Sequence, residues 1–424
     1  MTERANPLRM EYGTHDAGLR LLRQSPPAGA ASASITYVGP AGYGFDPPGG
    51  EGIARMVARL ATSAAGPFGR VALARELDRA GATLTAQIAP ESAEITIWGP
   101  ATDWESLLEL LSHAILRPRF DEEDIERVQR QLRESQLREL TQPDHRAERE
   151  LLRTIFPGGH PYRETGWGSA RSVGRIDRRR LVRFHREHYT ADGGMLVATV
   201  PAALKRLERA CAQRLGHFAR ARAPSPLRPR PVPGRRVIRE IEMPGRSQTE
   251  VHTGGPSIAR REELFPAAFL ANEVLGGRPL LSRLFQKIRE RAGLAYHASS
   301  DLEAMRLGGY WTAQAGTNPE NARRVEKLLI GEVDRMQEEL VRPRELDQIR
   351  ESAIGEMALS LETTSTAHEL AIDLAYHDLP PDYWLRWPST LRAVRPPSIR
   401  DAAAVAIDGR RAATVLAGPL KRGT

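Results

Sequence analysis

The strongest constraint on the fold is that the chain runs through one plan twice. A strand-like run ending in Gly-Pro opens each half, Ala33 to Pro40 (ASITYVGP) and Thr249 to Pro256 (TEVHTGGP). A loop and an amphipathic helix follow. Ile53, Met56, Val57 and Leu60 fall at i, i+3, i+4 and i+7, one helical face, and Phe265, Phe269 and Leu270 begin a comparable stripe toward Val274 and Leu275. Gly-containing turns close both helices, at Ala65-Gly66 and Gly276-Gly277. Arg75 to Ala89 then lines up with Gln286 to Ser300, each reading as a helix, a Gly turn and a strand. A second strand follows, Ala93 to Pro100 or Gly308 to Gly316, then a long helix, a turn at Pro118 or Pro343, and another charged helix. A repeat of this length is one folding unit used twice. The element order predicts an α+β protein of two homologous domains, each a mostly antiparallel sheet packed with helices on one face.

The stretch Ala219 to Arg236 (ARARAPSPLRPRPVPGRR) separates the halves. Rich in Pro and Arg and without helical periodicity, it predicts an extended, semi-rigid connector. The expected domains are therefore 1–218 and 237–424, joined by a linker at 219–236. A chain of 424 residues is long enough for two full cores. No apolar run could cross a bilayer, so no membrane span is expected. The polar start, Met1 to Met10, lacks an apolar signal core and predicts a cytoplasmic location, or a periplasmic one if the sequence begins at a mature end.

Cys211 is the single cysteine, which excludes an internal disulfide and a four-Cys zinc site. The formal charge of +8 raises the question of a nucleic-acid partner. Lysine occurs only at Lys205, Lys287, Lys327 and Lys421, so the basic residues are nearly all Arg and run along the whole chain. No basic run is interleaved with stacking aromatics, and no nucleic acid is expected. An acidic peptide drawn into a basic cavity fits the same charge.

The helix after Gly49-Gly50 reads GEGIARMVARLATSAAG from Gly50. It resembles the N-terminal motif helix of the pitrilysin/insulinase metallopeptidases, the inverzincins, whose helix carries His-x-x-Glu-His. In that family the two His bind zinc, the Glu between them serves as general base, and a Glu from a later helix is the third ligand. The matching positions here are Arg55, Ala58 and Arg59, with the third at Ser135, or at a residue adjacent such as Glu134. Arginine offers no lone pair and stays charged, and alanine cannot act as a base. The resemblance therefore implies a degenerate zinc motif and no metal bound by this chain.

The second half carries the rest of the resemblance. LGGRPLLSRLFQKIRERAGLAYHASS, from Leu275, is similar to the family's C-terminal signature, a Gly-Gly turn, Ser-Arg-Leu-Phe, then Arg-x6-Tyr. The family's Arg and Tyr bind the substrate backbone and help stabilise the oxyanion. By resemblance, Arg289 and Tyr296 are the residues that contribute to catalysis. HPYRETGWG from His160 and LVRFHREHYTADGGMLVATV from Leu181 also resemble family stretches, so the likeness covers almost the whole chain. His185, Glu187 and His188 form His-x-Glu-His, but that spacing fits neither a zincin nor an inverzincin and reads as a structural helix end.

In part of this family two homologous chains form a heterodimer, one holding zinc and the other supplying Arg and Tyr. The resemblance thus implies a non-zinc subunit of a peptide-hydrolysing metallopeptidase. Its expected partners are a homologous His-x-x-Glu-His subunit that carries the zinc and a peptide substrate held by strand addition. The alternative is a non-catalytic peptide-binding or scaffold homologue. A third reading, zinc held by His185 and His188, predicts metal in the isolated chain.

Overall fold

The computed structural model describes residues 10–216 and 236–420, together with Phe218, Pro224 and Leu227. The connector expected at 219–236 and the polar start before Met10 lie almost entirely outside the described residues. Among the described residues no helix is long and apolar enough to cross a membrane.

Two sheets organise the chain. The first is built from β1 (Met10–Thr14), β2 (Arg20–Gln24), β3 (Ser32–Gly39), β4 (Thr83–Ile88), β5 (Ala93–Pro100) and β6 (Met195–Thr199). Its order is β1-β2-β6-β3-β5-β4, antiparallel except for the β2–β6 pair. The second comprises β7 (Val237–Glu242), β8 (Thr249–Ser257), β9 (Ala295–Ala304), β10 (Gly309–Thr317) and β11 (Ala413–Gly418). Its order is β7-β11-β8-β10-β9, with only β7–β11 parallel. The repeated sequence plan is thus realised as two mixed but mostly antiparallel sheets in an α+β fold.

Helices of the first half include α1 (Ile53–Ala61), α2 (Arg70–Arg79), α3 (Trp104–Leu116), α4 (Glu122–Thr141) and α5 (Pro143–Ile155). Ile53, Met56, Val57 and Leu60 of α1 are buried, as is the apolar face of α3, against Ile35, Tyr37, Ile95 and Ile97 of the sheet. Strand alternation puts Ser34 and Thr36 on the opposite face. That face is covered by the helix Thr364–Tyr376, which comes from the second half and packs on β2, β3 and β6. The second sheet is treated in the same way: α5, from the first half, packs on β8 and β11 through Leu151, Leu152, Val415 and Ala417.

The two compact units consequently exchange segments. One contains residues 1–136, 165–227 and 357–385; the other contains 137–164, 228–356 and 386–424. All strands of each sheet nevertheless come from one side of the 219–236 stretch.

Candidate active site

The motif helix α1 is set by its N-terminal turn. Gly49 and Gly52 take φ of 74° and 98°, left-handed values that favour glycine. The Asp46 carboxylate accepts hydrogen bonds from Gly52 N (2.6 Å) and Ala54 N (3.0 Å), supplying a cap from outside the helix. Burial pushes the Asp46 carboxyl up to about 7, against the lowering effect of those two amides.

The positions matching the zinc motif are filled by a cation–aromatic stack. Arg55 holds its guanidinium 4.0 Å from the Trp167 ring centroid, and the Arg59 guanidinium lies 5.6 Å from the same ring. Arg55 also donates Nε–H to Gly166 O (3.2 Å) and Nη2–H to Thr165 O (3.1 Å). Gly166 and Gly168, with φ of 74° and 69°, let this loop pass close beneath the helix: a Cβ on Gly168 would stand 2.1 Å from Glu51 O. Ala58 is fully buried. From α4, Ser135 is buried and donates Oγ–H to Gln131 O of its own helix (3.0 Å). Its neighbour Gln136 reaches the loop, donating Nε2–H to Trp167 O (2.6 Å). Glu134 is exposed. Guanidinium groups cannot ligate a cation, so these residues do not fit zinc.

Trp167 was not singled out from sequence. It sits within the HPYRETGWG stretch, and no local pattern around Arg55 and Arg59 pointed to a partner so far along the chain. Beside this arrangement, β4 forms the outer edge of the first sheet and packs against α1. Its unpaired backbone edge is a surface to which an extended peptide could add.

In the second unit, Arg289 lies in the helical segment Phe285–Arg291 and Tyr296 is the second residue of β9, the edge strand. Gly293 (φ 60°) makes the turn between them, with Leu294 N donating to Ile288 O (3.0 Å). That turn folds the two side chains together. The Arg289 guanidinium is 5.5 Å from the Tyr296 ring centroid and 4.8 Å from that of Phe285. Tyr296 is 78% exposed, so its hydroxyl is open to solvent or to a ligand. The four motif positions thus belong to the first unit, and the Arg–Tyr pair to the second.

His185 and His188 do not converge. His185 Nε2 bonds Ile115 O (2.7 Å), while His188 Nδ1 bonds Pro40 O (3.0 Å). Their rings stack on Tyr189 and Phe184. Burial lowers His185 to about 4. Both are structural, and the reading in which they hold zinc is set aside.

Two family models match: insulinase (peptidase family M16) over residues 21–164, and the peptidase M16 inactive domain over 175–353. The chain belongs to the insulinase (M16) peptidase family. A Streptomyces coelicolor protein called an uncharacterized zinc protease is 30% identical over 266 residues, which is 60% of this M16 chain and 56% of that one. An uncharacterized zinc protease of Mycobacterium tuberculosis is 27% identical over 83% of this chain and 80% of its own length. Among solved structures, a peptidase M16 inactive domain from Pseudomonas fluorescens superposes with a TM-score of 0.91 at 20% identity, over 98% of this chain and 99% of that one. A protease from Helicobacter pylori gives 0.89 at 16% identity, over 97% and 99%. These likenesses establish the two-domain M16 fold of the chain.

Proposed function

We propose that this M16 chain is the non-zinc subunit of a two-chain peptidase, acting with a homologous subunit that bears His-x-x-Glu-His. The observation that carries the proposal is the Arg55–Trp167–Arg59 stack at the motif helix, set against an exposed Arg289–Tyr296 pair. The helix keeps its cap and its buried face but presents two cations where the family's ligands stand. Zinc, its activated water and the general base are assigned to the partner.

This chain's own contribution is binding and electrostatic. Arg289 offers a fixed fork of N–H donors, and the Tyr296 hydroxyl can donate to a developing negative charge. The edge of β4 can hold an extended peptide by backbone pairing. Substrates are then peptides or unfolded segments.

The test is peptide cleavage by the chain alone and by the chain co-purified with a homologue carrying His-x-x-Glu-His, each also as Arg289→Ala. Turnover only in the pair, falling about 100-fold or more in the variant pair as for loss of an oxyanion donor, is the expected result. Undiminished turnover in the variant pair would refute the role of Arg289. Tight peptide binding without turnover in any combination would point instead to a non-catalytic peptide-binding protein.

A further inference from the structure

We infer that the second unit holds a divalent metal of the zinc class between Asp144, Glu250, His252 and His297, away from the motif helix. The sequence reading left this chain without any metal, and the inference stands whether or not the chain pairs with a zinc subunit.

The site is built from three elements. Glu250 and His252 alternate along β8 and so share one face of the second sheet. Both are buried, His252 to 2% exposure. Helix α5 lies on this face, and its first turn carries Asp144, whose Oδ1 stands 3.0 Å from His252 Nε2. Ligand atoms of Asp144, Glu250 and His252 all lie within 4.8 Å of one another.

The fourth group arrives across a strand. In the register, Gly316 of β10 pairs with Glu250 on one side and His297 on the other. A Cβ at Gly316 would fall 2.7 Å from Glu250 Oε1 and 2.8 Å from His297 Cε1. Because that atom is missing, side chains from two strands that are not neighbours meet, with His297 Nε2 3.6 Å from Glu250 Oε2.

Three observations point to a cation here. First, Glu250 Oε2 and His252 Nε2 are buried and lack a hydrogen bond of good geometry among the described residues. Burying such atoms without full compensation is costly. Second, the neighbouring cavity of about 190 Å³ is lined by Asp144, Glu148, His252, Asp301 and Glu303, an acidic surface. Third, the donor set is right. Two imidazoles and two carboxylates suit tetrahedral zinc, whereas magnesium and calcium prefer six or more oxygens. Bonds of zinc length place tetrahedral ligands about 3.3 Å apart, between the 3.0 Å and 3.6 Å contacts here. Asp144 and His297 are partly open to solvent and provide the entry.

The ion would pin α5, a helix from the first half of the sequence, to the sheet of the second. Zinc found in this chain would then report this clasp and not the motif helix.

The experiment strips the purified full chain with EDTA and titrates it with Zn²⁺ by calorimetry and by thermal melting. One Zn²⁺ per chain is expected, with Mg²⁺ giving no comparable heat. Zn²⁺ at about a hundredfold over Kd should raise the melting midpoint by about 5–10 °C. Asp144→Asn and His297→Gln replace partly exposed groups and should leave the circular dichroism spectrum unchanged. Each should weaken zinc by at least about tenfold, since even outer-shell partners are worth that much. The double variant Asp144→Asn/His252→Gln should lose the stoichiometric site. No zinc uptake by the folded wild type, or unchanged affinity in Asp144→Asn and His297→Gln, would overturn the inference.

Discussion

Acid should loosen the helix Thr364–Tyr376 from the first sheet, and His368 sets the amount. His368 is buried, with Nε2 2.8 Å from Thr36 Oγ1 and Nδ1 2.8 Å from Thr199 Oγ1. Thr199 spends its single hydroxyl proton on Gln24 Oε1 (2.7 Å), so it must accept from His368 Nδ1–H. Nε2 then accepts from Thr36, which in turn accepts from Thr96 (2.8 Å). The chain of hydrogen bonds is satisfied with a neutral ring. Burial lowers the His368 pKa to about 3. The unfolded chain titrates near 6.5, so between those values the folded state binds fewer protons than the unfolded one. The stability is fully present above about pH 6.5 and is lost as pH falls toward about 3. At about 1.4 kcal/mol per pH unit the whole window is worth about 5 kcal/mol, and acidification to about pH 4.5 removes about 3 kcal/mol.

The assay is amide hydrogen exchange of residues 364–376 between about pH 7 and 4.5, corrected for intrinsic rates, in the wild type and in His368→Gln. The substitution should cost about 1–3 kcal/mol at neutral pH, because one hydroxyl loses its partner. It no longer titrates, so the gap between the two proteins should close by about pH 4.5. Asp46 lies in the same unit, and its raised carboxyl pulls with the opposite sign over an overlapping window. Both proteins carry Asp46, so the difference curve cancels it. A gap that stays constant across this range would refute the assignment of a buried neutral histidine.

Trp167→Ala should lower the stability of the first unit by about 2–3 kcal/mol in urea unfolding, since it removes a partly buried ring and the shared platform of Arg55 and Arg59. Trp167→Phe should recover about half of that loss, and equal losses in both variants would rule out the cation–aromatic account. Cys211 is buried and its thiol is pushed up to about 12, chiefly by burial. It should therefore resist a thiol reagent at about pH 8 in the folded protein and react fully once guanidinium unfolds the chain.

What could be read from the sequence is local in the chain. The apolar stripe Ile53, Met56, Val57 and Leu60 identified α1, and the run Ala93 to Pro100 matched β5 residue for residue. Arg289 and Tyr296 were singled out only by resemblance to the family's Arg-x6-Tyr, and their side chains come together across one glycine turn. The stack on Trp167 needed a residue more than a hundred positions away from Arg55, and no periodicity carries that information. The helix exchange was hidden for a related reason. An amphipathic helix declares that one face is buried, not which sheet buries it.

The exchange also explains why the sequence suggested helices on only one face of each sheet. Ser34 and Thr36 on β3 alternate with Ala33, Ile35 and Tyr37, the pattern of a strand whose second face meets water, and on β8 Glu250 and His252 flank the apolar Val251. Both faces are in fact covered, by the helix Thr364–Tyr376 and by α5, and both coverings are fastened by a histidine-centred polar cluster. In the first unit the histidine rides on the exchanged helix and bonds strand hydroxyls. In the second it sits on the strand and faces a helix carboxylate. Polar residues are what such a seam requires. An apolar face would bind an exchanged helix in several registers, while a histidine held between two hydroxyls, or between carboxylates, accepts one. The alternation that reads as solvent exposure is therefore the signature of the seam, and protonating His368 should loosen the helix Thr364–Tyr376 while leaving α5, held on its sheet by Leu151 and Leu152, in place.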